Sequence, residues 1–231
     1  MRARGFSLLE LVIACALFTT LSVLIFSFFR YGTRAFYAVN QKNGLRTDAL
    51  RTVESLQAEL KRSAQSSVYL ENSATRDLLV DGQTVDRDVI AFATLKDWRD
   101  RTSSENFDLE TGAPKWNRYW VFYATKEPEG RLIRHKVDPN PPPEAPIPMI
   151  SEEVETLFYD DPQTNSFDGQ TPPFATLAKN VYSFKIGDFQ GGSYPVTLKL
   201  REKHKQEAAE QGLRRDYDYY ELKLRIAPEN G

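Results

Sequence analysis

The N-terminal part of the chain carries one long apolar run. Residues 6–29 read FSLLELVIACALFTTLSVLIFSFF and contain a single ionisable side chain, Glu10. A helix of this length reaches about 36 Å at about 1.5 Å per residue, and the hydrocarbon core of a bilayer is about 30 Å thick. The run therefore predicts a membrane-spanning helix.

Beyond that run the pattern stays helical. Apolar residues recur at intervals of three or four, which is the period of one helix face. We expect a helix over residues 6 to about 65. Glycine is unfavourable inside a helix, so an interruption would fall near Asn43, next to Gly44. The second half should pack on a sheet through a stripe formed by Leu45, Ala49, Val53, Leu56, Leu60 and Ala64.

The following segments have the period of two that is typical of strands. Residues 78–80 and 89–95 flank Asp81-Gly82, a tight-turn dipeptide, and predict a hairpin. Residues 119–125 and 131–137 predict a second hairpin.

The C-terminal strands complete the predicted fold. Residues 181–186 form a fifth candidate strand. In residues 196–201 and 220–226 apolar and charged side chains alternate, which predicts antiparallel strands with one buried and one solvent-facing side. The order of helix and then strands indicates an α+β fold, in which a long N-terminal helix packs on an antiparallel β-sheet. We expect one head over residues 66–231 rather than two lobes.

Three inserts interrupt the strands. Residues 96–117 are polar, residues 138–148 are rich in proline, and residues 160–173 form a further loop. Residues 151–159 predict either a short helix with Ser151 as its cap or a strand. The aromatic side chains scattered through the first insert are Trp98, Phe107 and Trp116.

Composition excludes several functions. The chain has 231 residues and a formal net charge of −2, so it has no basic excess, and nucleic-acid binding is not expected. The single cysteine, Cys15, lies inside the apolar run, so no disulfide is predicted. His135 and His204 match no catalytic or metal-binding motif and are expected at the surface. We predict neither catalysis nor a cofactor.

An acidic loop raises the question of calcium. Asp160, Asp161, Asn165 and Asp168 offer the hard oxygen ligands that calcium prefers. The spacing of an EF-hand is absent, however, and we assign no metal.

A short basic leader precedes the apolar run. Arg2 and Arg4 favour a cytoplasmic N-terminus by the positive-inside rule, which places the large remainder of the chain outside. Glu10 lies one turn into the run, where an acid is costly in lipid and needs a partner. A cut after Gly5 would create a new amino group at Phe6, at a depth close to that of Glu10.

These residues carry a family resemblance. The segment RARG/FSLLELVIA resembles the class III signal of type IV pilins and type II secretion pseudopilins. The resemblance implies cleavage after Gly5 by a prepilin peptidase, N-methylation of Phe6, and retention of the apolar helix for anchoring and assembly. It also implies that Glu10 compensates the N-terminal amine of an adjacent subunit.

The same resemblance implies a domain organisation and a set of partners. Residues 1–5 would be a cleaved leader, 6–29 a transmembrane helix, 30–65 its amphipathic continuation, and 66–231 a periplasmic head. The expected partners are other pilins or pseudopilins, including minor tip subunits and a major subunit. The prepilin peptidase and the bacterial inner membrane are the others.

Three other interpretations fit the N-terminus less well. A secretory signal peptide has a shorter apolar core and a small-residue cleavage site, which are lacking here. A plain signal anchor leaves the combination of Gly5, Phe6 and Glu10 unexplained. A lipobox at residues 12–15, with acylation of Cys15, would contain an acid in its core and would be followed by a long apolar stretch.

A second resemblance extends to the rest of the chain. The segments LRTDALRTVESLQAELKRSAQSS, LAKNVYSFKIGDF, GGSYPVTLKLRE and YYELKLRIAP are similar to large minor subunits, namely the J-type pseudopilin and the W-type minor pilin. This implies that the chain helps to initiate or cap a fibre at its tip. The choice between a secretion pseudopilus and a type IV pilus stays open, and so does a role as a tip adhesin or receptor.

Overall fold

The computed structural model describes residues 7–141, 149–203 and 217–229. This part of the chain contains the helices α1 (Leu8–Leu60) and α2 (Ser151–Glu155). The strands in chain order are β1 (Tyr69–Glu71), β2 (Leu78–Val80), β3 (Gln83–Val85), β4 (Val89–Thr94), β5 (Arg118–Ala124), β6 (Gly130–Val137), β7 (Phe174–Ile186), β8 (Tyr194–Lys203) and β9 (Tyr217–Ile226). The predicted α+β fold class is confirmed.

Contacts divide the chain into two compact units, Met1–Gly44 and Leu45–Gly231. Helix α1 is continuous across the boundary, so the interruption considered near Asn43 does not occur. The helix ends at Leu60 rather than near residue 65, and a short 3₁₀ turn at Gln65–Ser67 follows it.

Strands β1 and β4–β9 form one antiparallel sheet in the order β1-β4-β5-β6-β7-β8-β9. The predicted second hairpin is confirmed as β5 paired with β6, and the two alternating C-terminal segments are paired as β8 and β9. The candidate strand at 181–186 is the end of β7.

The first predicted hairpin has a different partner. Strand β2 turns through Asp81 and Gly82, both with positive φ, and pairs with β3 rather than with residues 89–95. Those residues form β4, which lies between β1 and β5 and is buried along its whole length. A continuous apolar run suits a strand that is covered on both sides, whereas the polar segment Gln83–Val85 suits a surface hairpin.

The sheet is covered on both faces. On one face the stripe of α1 packs on the sheet, with Leu56 and Leu60 in one buried cluster with Phe92 and Phe122. Ala64, the last residue of the predicted stripe, lies beyond the end of α1 and belongs to the second cluster instead. Arg134 of β6 also donates a hydrogen bond to Ser55 of the helix (3.0 Å). On the other face a second cluster joins β4, β5 and β6 to α2 and its flanks through Met149, Val154 and Leu157.

The inserts are more ordered than their composition predicts. Trp98, Phe107 and Trp116 are not scattered, because Trp98 makes edge contacts with both of the others at centroid distances of 6.4 and 5.7 Å. Of the two alternatives for residues 151–159, the helix is observed, but Ser151 is its first helical residue and Ile150 its cap. Residues 142–148 of the proline-rich insert lie outside the described residues.

Gly130 at the start of β6 makes room for a buried arginine. Arg87 is fully buried and donates hydrogen bonds to the carbonyl oxygens of Val181 (2.5 Å) and Glu127 (3.2 Å). A Cβ atom at position 130 would lie 2.8 Å from Cζ of Arg87, which is closer than side-chain atoms pack.

We therefore expect Gly130→Ala to destabilise the Leu45–Gly231 unit by about 1–3 kcal/mol, the usual range for overpacking. Urea unfolding followed by tryptophan fluorescence measures this. Gly44→Ala is the control, because its added Cβ would meet no atom within 4 Å and alanine favours a helix. Equal stability of Gly130→Ala and the parent chain would contradict the close approach.

Candidate functional site: the apolar half of the N-terminal helix

The Met1–Gly44 unit presents a continuous apolar surface. Every described residue from Ser7 to Thr33 is exposed, and Leu8, Phe18 and Phe28 each expose more than 70% of their surface. A helix that is apolar on all sides needs an apolar environment around it. By length and composition α1 can cross a membrane, and it is the one helix of the described residues that can.

Three threonine hydroxyl groups of this segment are hydrogen-bonded within the helix. The hydroxyl groups of Thr19, Thr20 and Thr33 donate to the carbonyl oxygens four residues earlier at 2.8–2.9 Å. A hydroxyl that bonds its own helix can face lipid or another helix without an unpaired donor.

Glu10 takes part in a reciprocal cap at the start of α1. The backbone N–H of Ser7 donates to Oε2 of Glu10 (2.9 Å), and the backbone N–H of Glu10 donates to Oγ of Ser7 (3.2 Å). This is a capping box, and it places the carboxylate at the positive end of the helix dipole. Within the described part of the chain, no basic side chain forms an ion pair with Glu10.

Sequence reasoning missed the role of Ser7. The signal was present as Ser7-x-x-Glu10 directly before the apolar run, which is the spacing of a capping box. The other two predicted site residues, Gly5 and Phe6, lie outside the described residues, and their processing stays a prediction.

The N-terminal sequence matches a known family model. Residues 1–26 match the prokaryotic N-terminal methylation motif. The motif indicates a type IV pilin-like or pseudopilin-like protein. Such proteins are processed by prepilin peptidase, assemble with other pilins and have structural rather than enzymatic roles. No curated protein and no solved structure matches the chain.

The exposed half of α1 also carries a hollow at Gly32. Gly32 leaves open space where a side chain would be, and aromatic rings lie one turn before and one turn after it. This leaves a shallow hollow on the exposed surface of the helix. The hollow is lined by Phe28, Phe29, Gly32, Thr33, Phe36 and Tyr37.

The histidine prediction was wrong for His135. Its side chain is fully buried on β6 and stacks on Tyr123 at a centroid distance of 5.9 Å. The amide nitrogen of Asn165 donates to its Nε2 (2.8 Å), and burial lowers the pKa of His135 to about 4. The ring is therefore a neutral core group. His204 lies outside the described residues.

Two of the acidic-loop residues have partners within the chain. Asn165 is buried, and its side chain is bonded to the backbone of Leu157 and Tyr159. Asp160 accepts a hydrogen bond from the backbone N–H of Lys126 (2.5 Å). Among the residues described, no three His, Cys, Asp or Glu side chains are grouped to hold a metal ion.

Proposed function

We propose that this chain is a minor pseudopilin of a type II secretion system. It is anchored in the inner membrane with its N-terminus in the cytoplasm and its head in the periplasm, and it helps to start or cap the pseudopilus at its tip. One observation carries the proposal: the methylation motif lies at the start of a helix whose apolar half is exposed along its length in the described residues.

The proposed mechanism uses Gly5, Phe6 and Glu10. Cleavage after Gly5 and methylation of Phe6 leave a positively charged amine at the new N-terminus. Glu10 compensates the amine of an adjacent subunit when the helices leave lipid and pack together. An unpaired charge is costly in any surrounding of low dielectric constant, so the pairing of Glu10 with the amine favours the bundled state.

A minor role is supported by the head. The Leu45–Gly231 unit carries a long insert at residues 96–117 and further loops around α2, which would crowd a repeating fibre. A position at the tip leaves space for them. The alternative is a minor pilin of a type IV pilus, with a priming or adhesive role at its tip.

The mature N-terminus tests the processing. We expect mass spectrometry of the protein from wild-type cells to give a chain that begins with methylated Phe6, and cells without the prepilin peptidase to give an uncut leader. An intact Met1 in both strains, or a lipid on Cys15, would overturn the assembly mechanism.

Deletion of the gene separates secretion from pilus function. For a pseudopilin we expect secreted proteins to be retained in the periplasm while surface pili remain. Loss of pili with normal secretion would instead identify a minor pilin.

A further inference from the structure

Among the described residues, strand β9 forms one edge of the sheet. It is the terminal strand of the seven, it runs for 10 residues, and it pairs on one side with β8. No other strand within residues 7–141, 149–203 and 217–229 lies on its outer side. A long edge strand presents backbone donors and acceptors that can pair with another chain.

The apolar side of β9 is incompletely covered. Tyr220, Leu222 and Leu224 pack against the cluster beneath α1, but they are only partly buried, whereas Ile226 at the end of the strand is 1% exposed. An added strand would place its own apolar side chains beside these three.

The other side of β9 carries charges in an ordered sequence. Tyr219, Glu221, Lys223 and Arg225 are exposed, and Lys223 forms an ion pair with Glu221 at 2.9 Å. Charges on an edge strand ordinarily deter pairing. Here their order makes one particular pairing favourable.

We propose that β9 pairs with β9 of a second copy of this chain, antiparallel, with Leu222 opposite Leu222 on a twofold axis. In this register Glu221 of each copy lies opposite Lys223 of the other, and Tyr219 lies opposite Arg225. On the apolar side Tyr220 lies opposite Leu224. Opposite charges, a cation facing an aromatic ring, and two apolar side chains are all favourable cross-strand neighbours.

The neighbouring registers are unfavourable. A shift of two residues in one direction places Lys223 opposite Lys223 on the axis. Glu221 then faces Arg225, but Tyr219 has no partner within the strand. A shift in the other direction places Glu221 opposite Glu221 on the axis. A shift of one residue places apolar side chains opposite charged ones. The order of residues along β9 therefore favours the register centred on Leu222, which has no pair of like charges facing each other.

The second copy is favoured over the other sheet edge. Strand β1 at the far end of the sheet has three residues and would leave most of β9 unpaired. The interface formed by one pair of strands is small, but two chains anchored in one membrane meet at high effective concentration. The proposal does not depend on processing at Gly5, because unprocessed chains in the membrane would pair in the same way.

Cysteine cross-linking of the full chain in membranes tests the register. In a Cys15→Ser background, Leu222→Cys places two thiols directly opposite each other, within the range of a disulfide. Leu224→Cys is the matched control, since its two copies would be about 14 Å apart at about 3.4 Å per residue. We expect an added oxidant to give at least about tenfold more covalent dimer for Leu222→Cys.

Two cross-linking results would overturn the proposal. One is equal cross-linking of the two variants. The other is that the thiol introduced at position 222 forms a disulfide with a different protein and none with a second copy of this chain.

Charge reversal tests the complementarity independently. We expect Glu221→Lys and Lys223→Glu, each in the Leu222→Cys background, to lower dimer formation about tenfold because like charges then face each other. The double variant E221K/K223E restores the opposite charges and should restore the dimer.

Co-expression of the two single variants is the sharpest measurement. Because each supplies the charge that the other lacks, they should cross-link to each other about tenfold more than either cross-links to itself. Failure of both the double variant and the mixture, with both variants still folded, would overturn the proposal.

Discussion

Glu10→Ala is expected to lower the amount of this chain in the assembled fibre at least about tenfold. The protein should still insert into the membrane, and its head should still fold. The carboxylate is the single ionisable group in the apolar run, and the described residues give it one polar partner, Ser7. Without the negative charge, the N-terminal amine of the adjacent subunit has no compensating partner as the helices bundle. The ratio of subunit in sheared fibres to subunit in membranes measures the effect.

Two further variants separate the charge from the helix cap. Glu10→Gln keeps a side-chain oxygen that can accept the hydrogen bond from the N–H of Ser7, but it has no charge, so we expect it to fail in assembly as Glu10→Ala does. Ser7→Ala keeps the charge and removes one bond of the capping box, a loss that typically costs about 1 kcal/mol, so it should assemble nearly normally. Normal assembly of Glu10→Gln would show that charge compensation is not the mechanism.

The long helix was predictable because its signals are local and repeated. The apolar run and the stripe from Leu45 to Leu60 each follow one period over several turns, and the stripe is buried as expected. The continuity near Gly44 was not predictable, since a helical glycine is unfavourable but tolerated, and nothing in the local sequence shows which outcome holds.

The first hairpin was predicted wrongly because two segments, residues 83–85 and residues 89–95, could both pair with β2. Asp81-Gly82 correctly indicated a turn, but the apolar residues 89–95 appeared to be the better partner for β2. Their burial on both faces depends on α1 on one side and α2 on the other, which are distant in the sequence. A strand that belongs in the centre of a sheet is not available for a surface hairpin.

The burial of His135 had a signal that was overlooked. Ile133, His135 and Val137 occupy alternate positions of β6, and all three face the same side of the sheet. The period of two therefore placed the imidazole among core residues. Its polar partners Tyr123 and Asn165 come from a neighbouring strand and a distant loop, so they could not be read from the sequence.

Asp88 is a second buried titratable group, and its effect opposes that of His135. Its carboxylate is 2% exposed and accepts a hydrogen bond from the backbone N–H of Ile186 (2.6 Å). Burial, with a smaller effect of the nearby carboxylate of Asp86, raises the pKa of Asp88 to about 7. The folded chain therefore holds this proton to a higher pH than the unfolded chain, and the contribution of Asp88 to stability falls as the pH rises from about 4 to about 7.

The contribution of His135 changes in the other direction. Its pKa is about 4 in the folded chain against a usual value of 6.5, so the unfolded chain binds the proton first as the pH falls. The folded state loses stability between about pH 6.5 and pH 4. At about 1.4 kcal/mol per pKa unit, the two contributions reach about 3 kcal/mol for His135 and about 4 kcal/mol for Asp88.

Single substitutions should reveal these opposing contributions. Relative to the parent chain, we expect Asp88→Asn to gain up to about 4 kcal/mol of stability as the pH rises from 4 to 7.5, because the variant has no carboxylate to ionise. Relative to the parent chain, His135→Gln should gain up to about 3 kcal/mol as the pH falls from 7 to 4. Urea unfolding of the full chain in detergent measures both, since all three tryptophans lie in the Leu45–Gly231 unit and report on the head alone.

The sign of each difference decides between the environments that the structure gives to the two groups. If the stability difference for Asp88→Asn did not change with pH, Asp88 would ionise as it does in water, and its burial against β7 would be wrong. A difference for His135→Gln that grows towards neutral pH would mean that the imidazole is charged in the fold. Because the parent chain contains both groups, their opposing contributions leave the pair with a small net effect between pH 4 and pH 7, and the difference measurements are needed to see either one.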